Sequence, residues 1–158
     1  MGACGAATMV FCAIARAQGI VGLPPAQPKP HVMYAAEPAI VPANKTATVE
    51  LRFRIDPGFH INSHHPSSDL LVPTELKLEP AAQVRVLRTE YPAGRPFRLA
   101  VGDGETLDVY EGEVRVRVEL TAPAGDSTVY GSLHYQACDK AACYPPRSLP
   151  VSLAVTAR

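Results

Sequence analysis

The sequence predicts an all-β domain, a sandwich of about eight short strands, on three observations. Sixteen prolines and eleven glycines with no tryptophan in 158 residues interrupt the chain too often for long helices, while its many Val and Thr residues suit short strands. Two stretches alternate apolar and polar side chains with the two-residue period of a half-buried strand. Pro, Gly, Asp and Asn bound the remaining apolar runs at the spacing of a sandwich. The length allows one domain and its sorting signals, because single cores commonly form at about 100 to 150 residues. Fifteen basic and fifteen acidic side chains cancel, so no cationic field exists to attract nucleic acid or an anionic membrane surface.

The first stretch, "MGACGAATMVFCAIARAQG", is small and apolar, with Ala15-Arg16-Ala17 standing as an A-x-A cleavage site. It predicts a signal peptide over residues 1–17 and export. The missing positive n-region places the expected translation start upstream of Met1. Its apolar core is shorter than the about 20 residues a membrane span needs, and "MGAC" is a poor lipid-attachment signal, so lipid anchoring is not expected. Residues 18–30, with "LPPAQPKP" at Leu23 to Pro30, read as a solvated, Pro-rich linker. Cleavage removes Cys4 and Cys12, leaving Cys138 and Cys143 alone in the domain, residues 31–158.

Within that domain Thr46 to Ile55 is the first clear strand, with Val49, Leu51, Phe53 and Ile55 on one face and Thr48, Glu50, Arg52 and Arg54 on the other. Glu113 to Leu120 repeats the pattern, with Val114, Val116, Val118 and Leu120 inward. Weaker signals predict strands at Val32–Tyr34, Thr74–Leu78, Val84–Leu87, Leu107–Tyr110, Thr128–Gln136 and Val151–Val155. Two long irregular stretches remain, Asn62–Asp69 and Tyr91–Glu105, and a sandwich gathers such loops at its ends, where binding elements sit.

The pair in "CDKAAC", Cys138 and Cys143, admits two readings. As a staple it is modest: closing about six residues removes roughly 2 kcal/mol of unfolded-chain entropy, against nearly 5 for a loop of 100. The geometry permits a bond if Tyr135–Ala137 and the chain from Tyr144 onward are neighbouring antiparallel strands. As a redox pair it needs a thiolate, which Lys140 in the turn favours and Asp139 opposes. The C-x4-C spacing is neither a thioredoxin active site nor half of a zinc ribbon.

The run "YQACDKAACYPP" resembles the active-site hairpin of the amino-terminal periplasmic domain of the thiol:disulfide interchange protein DsbD, a family also named for disulfide correction. "IDPGFHINSHHP" followed by "VPTELKL" is similar to that family's early strand-and-loop segment, and "VYEGEVRVRV" to a later strand. The resemblance covers roughly Val32 to Val155. It implies an immunoglobulin-like β-sandwich in the periplasm whose Cys138 and Cys143 shuttle between dithiol and disulfide, the more exposed cysteine forming the mixed disulfide. It implies thioredoxin-fold acceptors and no cofactor. Full-length members carry a membrane-embedded electron conveyor and a thioredoxin-like domain. Neither is present in this sequence, so electrons are expected in trans, from such a conveyor or a separate thioredoxin-like protein.

The same resemblance sets His60 and Asn62 beside the hairpin, where some members carry tyrosines. His60 is the candidate for tuning the thiols, with simple packing as the equal alternative. Members shield the disulfide with an aromatic residue on a cap loop. Here "VGDG" has none, and Phe97 is the candidate substitute. Tyr135 and Tyr144 flank the pair as a possible apolar wall, or as ordinary core tyrosines, and Pro145-Pro146 should stiffen the exit.

Two other classes compete. His60, His64 and His65 with Cys138 and Cys143 contain enough ligands for a copper or zinc module. A disulfide-stapled interaction domain would instead hold a bridge that resists reduction. No nucleophile elbow, phosphate loop or metalloprotease motif is present.

Overall fold

The computed structural model describes residues 29–79, 81–99 and 104–158, so the expected signal peptide, most of the expected linker and most of "VGDG" lie outside the described residues. The described residues form twelve strands and no helix. One sheet contains β1 (Val32–Ala35), β3 (Ala47–Ile55), β9 (Glu113–Thr121) and β6 (Arg85–Glu90), in that order and antiparallel throughout. The second contains β2 (Ala39–Val41), β12 (Arg147–Ala157), β10 (Gly125–Tyr135) and β5 (Glu75–Leu78), with β2 parallel to β12. Their inner faces share one core, in which Leu51, Phe53, Val116 and Val118 meet Val129, Leu133, Leu153 and Val155. The all-β, immunoglobulin-like sandwich is thus present, and the alternating faces of β3 and β9 are buried as expected.

The expected count of eight strands is too low, because β2, β4 (His60–Asn62), β7 (Arg95–Arg98) and β11 (Ala137–Cys138) are additional. Three of these join β8 (Thr106–Tyr110) in a third sheet, ordered β11-β4-β8-β7. The Tyr91–Glu105 stretch is therefore not wholly irregular, since it carries β7 paired with β8. β12 also extends beyond its expected start and runs through Pro150. There it has β10 on one side only, because β2 covers just Val155–Ala157, so the absent N–H breaks no ladder on the open side. In β6 a bulge between Val86 and Arg88 turns Leu87 outward, where it is exposed.

The third sheet stands at one end of the sandwich. β3 ends opposite the start of β9, at Arg54 and Glu113, and β10 ends opposite the start of β12, at Tyr135 and Arg147. Pro30, just before β1, lines a groove with Tyr135 and Arg147, so both layers terminate on the same side. From these ends the chain continues directly into the site sheet. A turn closed by the Phe59 N–H donating to the Asp56 carbonyl leads from β3 to β4. Gly58 occupies it at φ 84°, a conformation that costs a side-chain-bearing residue energy and glycine little.

Candidate functional site

The cysteine turn is an extension of β10. After Tyr135 the chain leaves the second sheet and β11 pairs with β4, Ala137 opposite Ile61 and Cys138 opposite His60. Cys143 returns antiparallel to Cys138 in a single bridge, with Cα atoms 4.0 Å apart and the sulfurs joined. The Tyr144 N–H then donates to the Ala137 carbonyl at 2.8 Å, and Pro145 and Pro146, lacking N–H groups, end the pairing. The neighbouring-strand geometry expected from the sequence is present, and with it the disulfide. Its two halves are unlike. Cys138 is 1% exposed, whereas Cys143 is exposed at the surface.

Asp139 organises the turn between them. Its Oδ1 accepts the N–H groups of Ala141 at 2.7 Å and Ala142 at 2.8 Å, and its Oδ2 accepts the Tyr144 hydroxyl at 2.8 Å. Its own N–H donates to the Ala142 carbonyl at 2.9 Å. These bonds, those from Ala141 and Ala142 first, hold its carboxyl below the usual carboxylate range. The same bond raises the Tyr144 phenol above its usual range. Lys140 is exposed at the tip of the turn.

His60 lies across the strand pair from Cys138, and directly opposed residues of antiparallel strands present side chains to the same face, about 5 Å apart at Cβ. The residue is 2% exposed. Burial drives the imidazole toward its neutral form, with Glu111 and Asp139 pulling weakly the other way. Its Nε2 is buried without a hydrogen-bond partner among the described residues. Phe97 covers it, the ring centroids 4.2 Å apart and tilted by 35°. The pairing of β7 with β8, and of β8 with β4, is what brings Phe97 over His60.

The structure brings Cys138, Cys143, His60, Phe97 and Tyr144 together, with Lys140 exposed on the same turn, and gives Asn62, Tyr135, His64 and His65 other contacts. Asn62 is fully buried, but its Nδ2 donates to the Val72 carbonyl at 3.0 Å. Its backbone carbonyl accepts the Thr74 hydroxyl at 2.6 Å, so it ties down the loop after β4. Tyr135 is buried within the sandwich core, which is the ordinary core role. His65 is exposed, whereas His64 is half-buried. His64 stacks on Tyr91 with centroids 3.7 Å apart, and its Nδ1–H donates to the Thr74 carbonyl at 2.9 Å. Among the described residues no three His, Cys, Asp or Glu side chains converge as a metal site, so the copper or zinc donor set is not assembled.

Two residues at the site carried no signal that composition or motif spacing detects. His31 stacks on Phe59 with centroids 3.6 Å apart, and both rings lie near Tyr144, at 5.4 and 5.9 Å. His31 Nδ1–H also donates to Asp56, which pairs with Lys29. The segment before β1 thus packs beside the exit from the cysteine turn. Asp139 did carry a signal, since an Asp two and three residues ahead of N–H groups is a turn former.

Comparison with known proteins bears on the same residues. The sequence profile described as "Thiol:disulfide interchange protein DsbD, N-terminal" matches residues 27–154. The DsbD N-terminal domain of Neisseria meningitidis in its reduced form is 22% identical with a TM-score of 0.46, over 71% of this chain and 80% of that one. In the structure of the complex between the DsbD and PilB N-terminal domains of Neisseria meningitidis, the matching chain is 20% identical with a TM-score of 0.48. That match covers 84% of this chain and 87% of the other. The N-terminal periplasmic domain of ScsB from Proteus mirabilis is 18% identical with a TM-score of 0.48, over 78% of this chain and 43% of that one. No curated protein matches the chain.

Proposed function

This chain belongs to the family of DsbD N-terminal domains, and from that premise we propose that it is a thiol–disulfide exchange carrier acting through Cys138 and Cys143. The observation that carries the reading is the inequality of the bonded pair. One sulfur belongs to a surface residue a partner can approach, and the other to a residue buried beside a neutral imidazole.

In the reduced carrier the Cys143 thiolate attacks a partner's disulfide, forming a mixed disulfide and releasing the partner's second sulfur as a thiolate. Cys138 then attacks the Cys143 sulfur and frees the partner as a dithiol. Two electrons have passed to the partner, and the carrier is left with its own disulfide. Cys138 must lose a proton to attack, and His60, opposite it in the strand pair, is the candidate to accept it. Burial keeps that imidazole unprotonated at neutral pH, as a base requires. Phe97, lying on the ring, limits the access of water.

The leader-like Met1–Gly19 segment and the periplasmic relative from Proteus mirabilis support a signal peptide, a linker and a periplasmic domain, in which such a bridge can form. The Neisseria complex supports a protein rather than a small molecule as partner, and we propose thioredoxin-fold acceptors. A membrane-embedded conveyor or a separate thioredoxin-like protein would supply the electrons.

Trapping tests the reading. Cys138→Ser keeps the exposed nucleophile without the resolving thiol and should accumulate a mixed disulfide with a thioredoxin-fold protein from the same periplasm. Cys143→Ser, with only the buried thiol, should accumulate at least tenfold less. Equal capture by both variants would remove the division of roles, and capture by neither would remove the carrier function.

A further inference from the structure

We propose that Asp139 is a positioning residue that keeps Cys143 against Cys138 whether or not their sulfurs are joined. The inference rests on the reading of this pair as one that opens and closes. Only four residues separate the cysteines, and the bonds that shape them do not involve sulfur. Asp139 holds the N–H groups of Ala141 and Ala142 and the hydroxyl of Tyr144 on its carboxylate. Its backbone N–H reaches the Ala142 carbonyl.

The exit from the turn is held separately. The Tyr144 N–H donates to the Ala137 carbonyl, and the Gln136 Nε2 donates to the Tyr144 carbonyl at 3.0 Å. The Tyr144 ring lies beside the stacked His31 and Phe59 rings. The clamp is therefore anchored to the β3–β4 turn as well as to its own loop.

A turn held only by its disulfide would relax on reduction and let the exposed cysteine swing away. This one retains three hydrogen bonds to one charged carboxylate, which are stronger than bonds between neutral groups. Holding the two thiols in register raises the effective concentration of each toward the other. The disulfide then re-forms readily, the reduced pair is a better electron donor, and a mixed disulfide is resolved sooner. Asp139 also places a negative charge beside Cys138, an effect separable from the clamp. Asn keeps an oxygen acceptor for the turn N–H groups and removes the charge.

The test uses the full chain equilibrated with glutathione redox buffers, with Cys138–Cys143 as the only readout. Asp139→Ala should lower the oxidised-to-reduced equilibrium constant about tenfold, equivalent to about 30 mV for two electrons. Tyr144→Phe, losing one of the three bonds, should lower it by about threefold, and Asp139→Asn should lie closer to wild type than to Asp139→Ala. In reduced wild type the Ala141 and Ala142 amide protons should stay protected from exchange. The proposal is overturned if Asp139→Ala lies within about twofold of wild type, if Asp139→Asn moves as far as Asp139→Ala, or if those two amides exchange at unstructured rates on reduction. Should Asp139→Ala not fold, Tyr144→Phe and the amide exchange decide by the same criteria. Glutathione needs no protein partner, so failed trapping alongside the expected glutathione values removes the carrier function and upholds the clamp.

Discussion

The two packed sheets and the small site sheet are built on different terms. β3, β9, β10 and β12 run nine to eleven residues; β3, β9 and β12 bury unbroken apolar rows, and β10 buries Val129, Leu133 and Tyr135. The site sheet is assembled from strands of two to five residues, and its β4 buries His60 and Asn62, each with a polar atom lacking a hydrogen-bond partner among the described residues. Buried polar groups without partners cost stability. The contrast teaches that the sandwich provides the rigidity and the site sheet spends some of it, keeping an imidazole dry beside a sulfur.

That division can be attacked first where its largest effect lies. Phe53 is 1% exposed at the centre of the core, so Phe53→Ala should cost about 3–5 kcal/mol. Urea melts should show the same loss in oxidised and reduced protein. A loss below about 1 kcal/mol would shift the burden of stability away from the packed sheets.

Reduction of the bridge is the next perturbation in size. Removing the link across about six residues should cost about 2 kcal/mol, and the protein should still melt in one cooperative step. Unfolding on reduction would mean that the sandwich depends on its site sheet, reversing the comparison.

The smallest effect sharpens it. Burial sets the His60 pKa in the folded protein below its ordinary value of 6.5, so the folded state binds fewer protons than the unfolded chain. This contribution is fully present above about pH 6.5 and is lost as pH falls from there toward the folded pKa. His60→Gln should flatten that limb, seen as a smaller fall in melting temperature than wild type between pH 7 and 5. Parallel profiles would show that the imidazole is not held neutral.

Legibility followed the same division. The long strands announce themselves because one face is buried over many residues, which writes a two-residue period into Val49–Ile55 and Val114–Leu120. Strands of two to four residues are too short to show a period. β7 moreover contains Pro96, and β4 buries three successive residues, which erases alternation. The cysteine turn was legible through its run of residues and the family it resembles. Its clamp was less so, because whether an Asp closes its own turn depends on where Tyr144 lies in space. The placement of Phe97 over His60 depends on the β7–β8 pairing, and the stacking of His31 on Phe59 on the fold bringing residues 28 apart together.

β12 spans the length of the sandwich. It begins at Arg147, next to the cysteine turn, and its eleven residues carry the chain about 35 Å to Arg158, whose N–H donates to the Val41 carbonyl. A bead, dye or sensor surface coupled at Arg158 would therefore leave Cys143 facing the solution. The same attachment near Lys29, which pairs with Asp56, would crowd it.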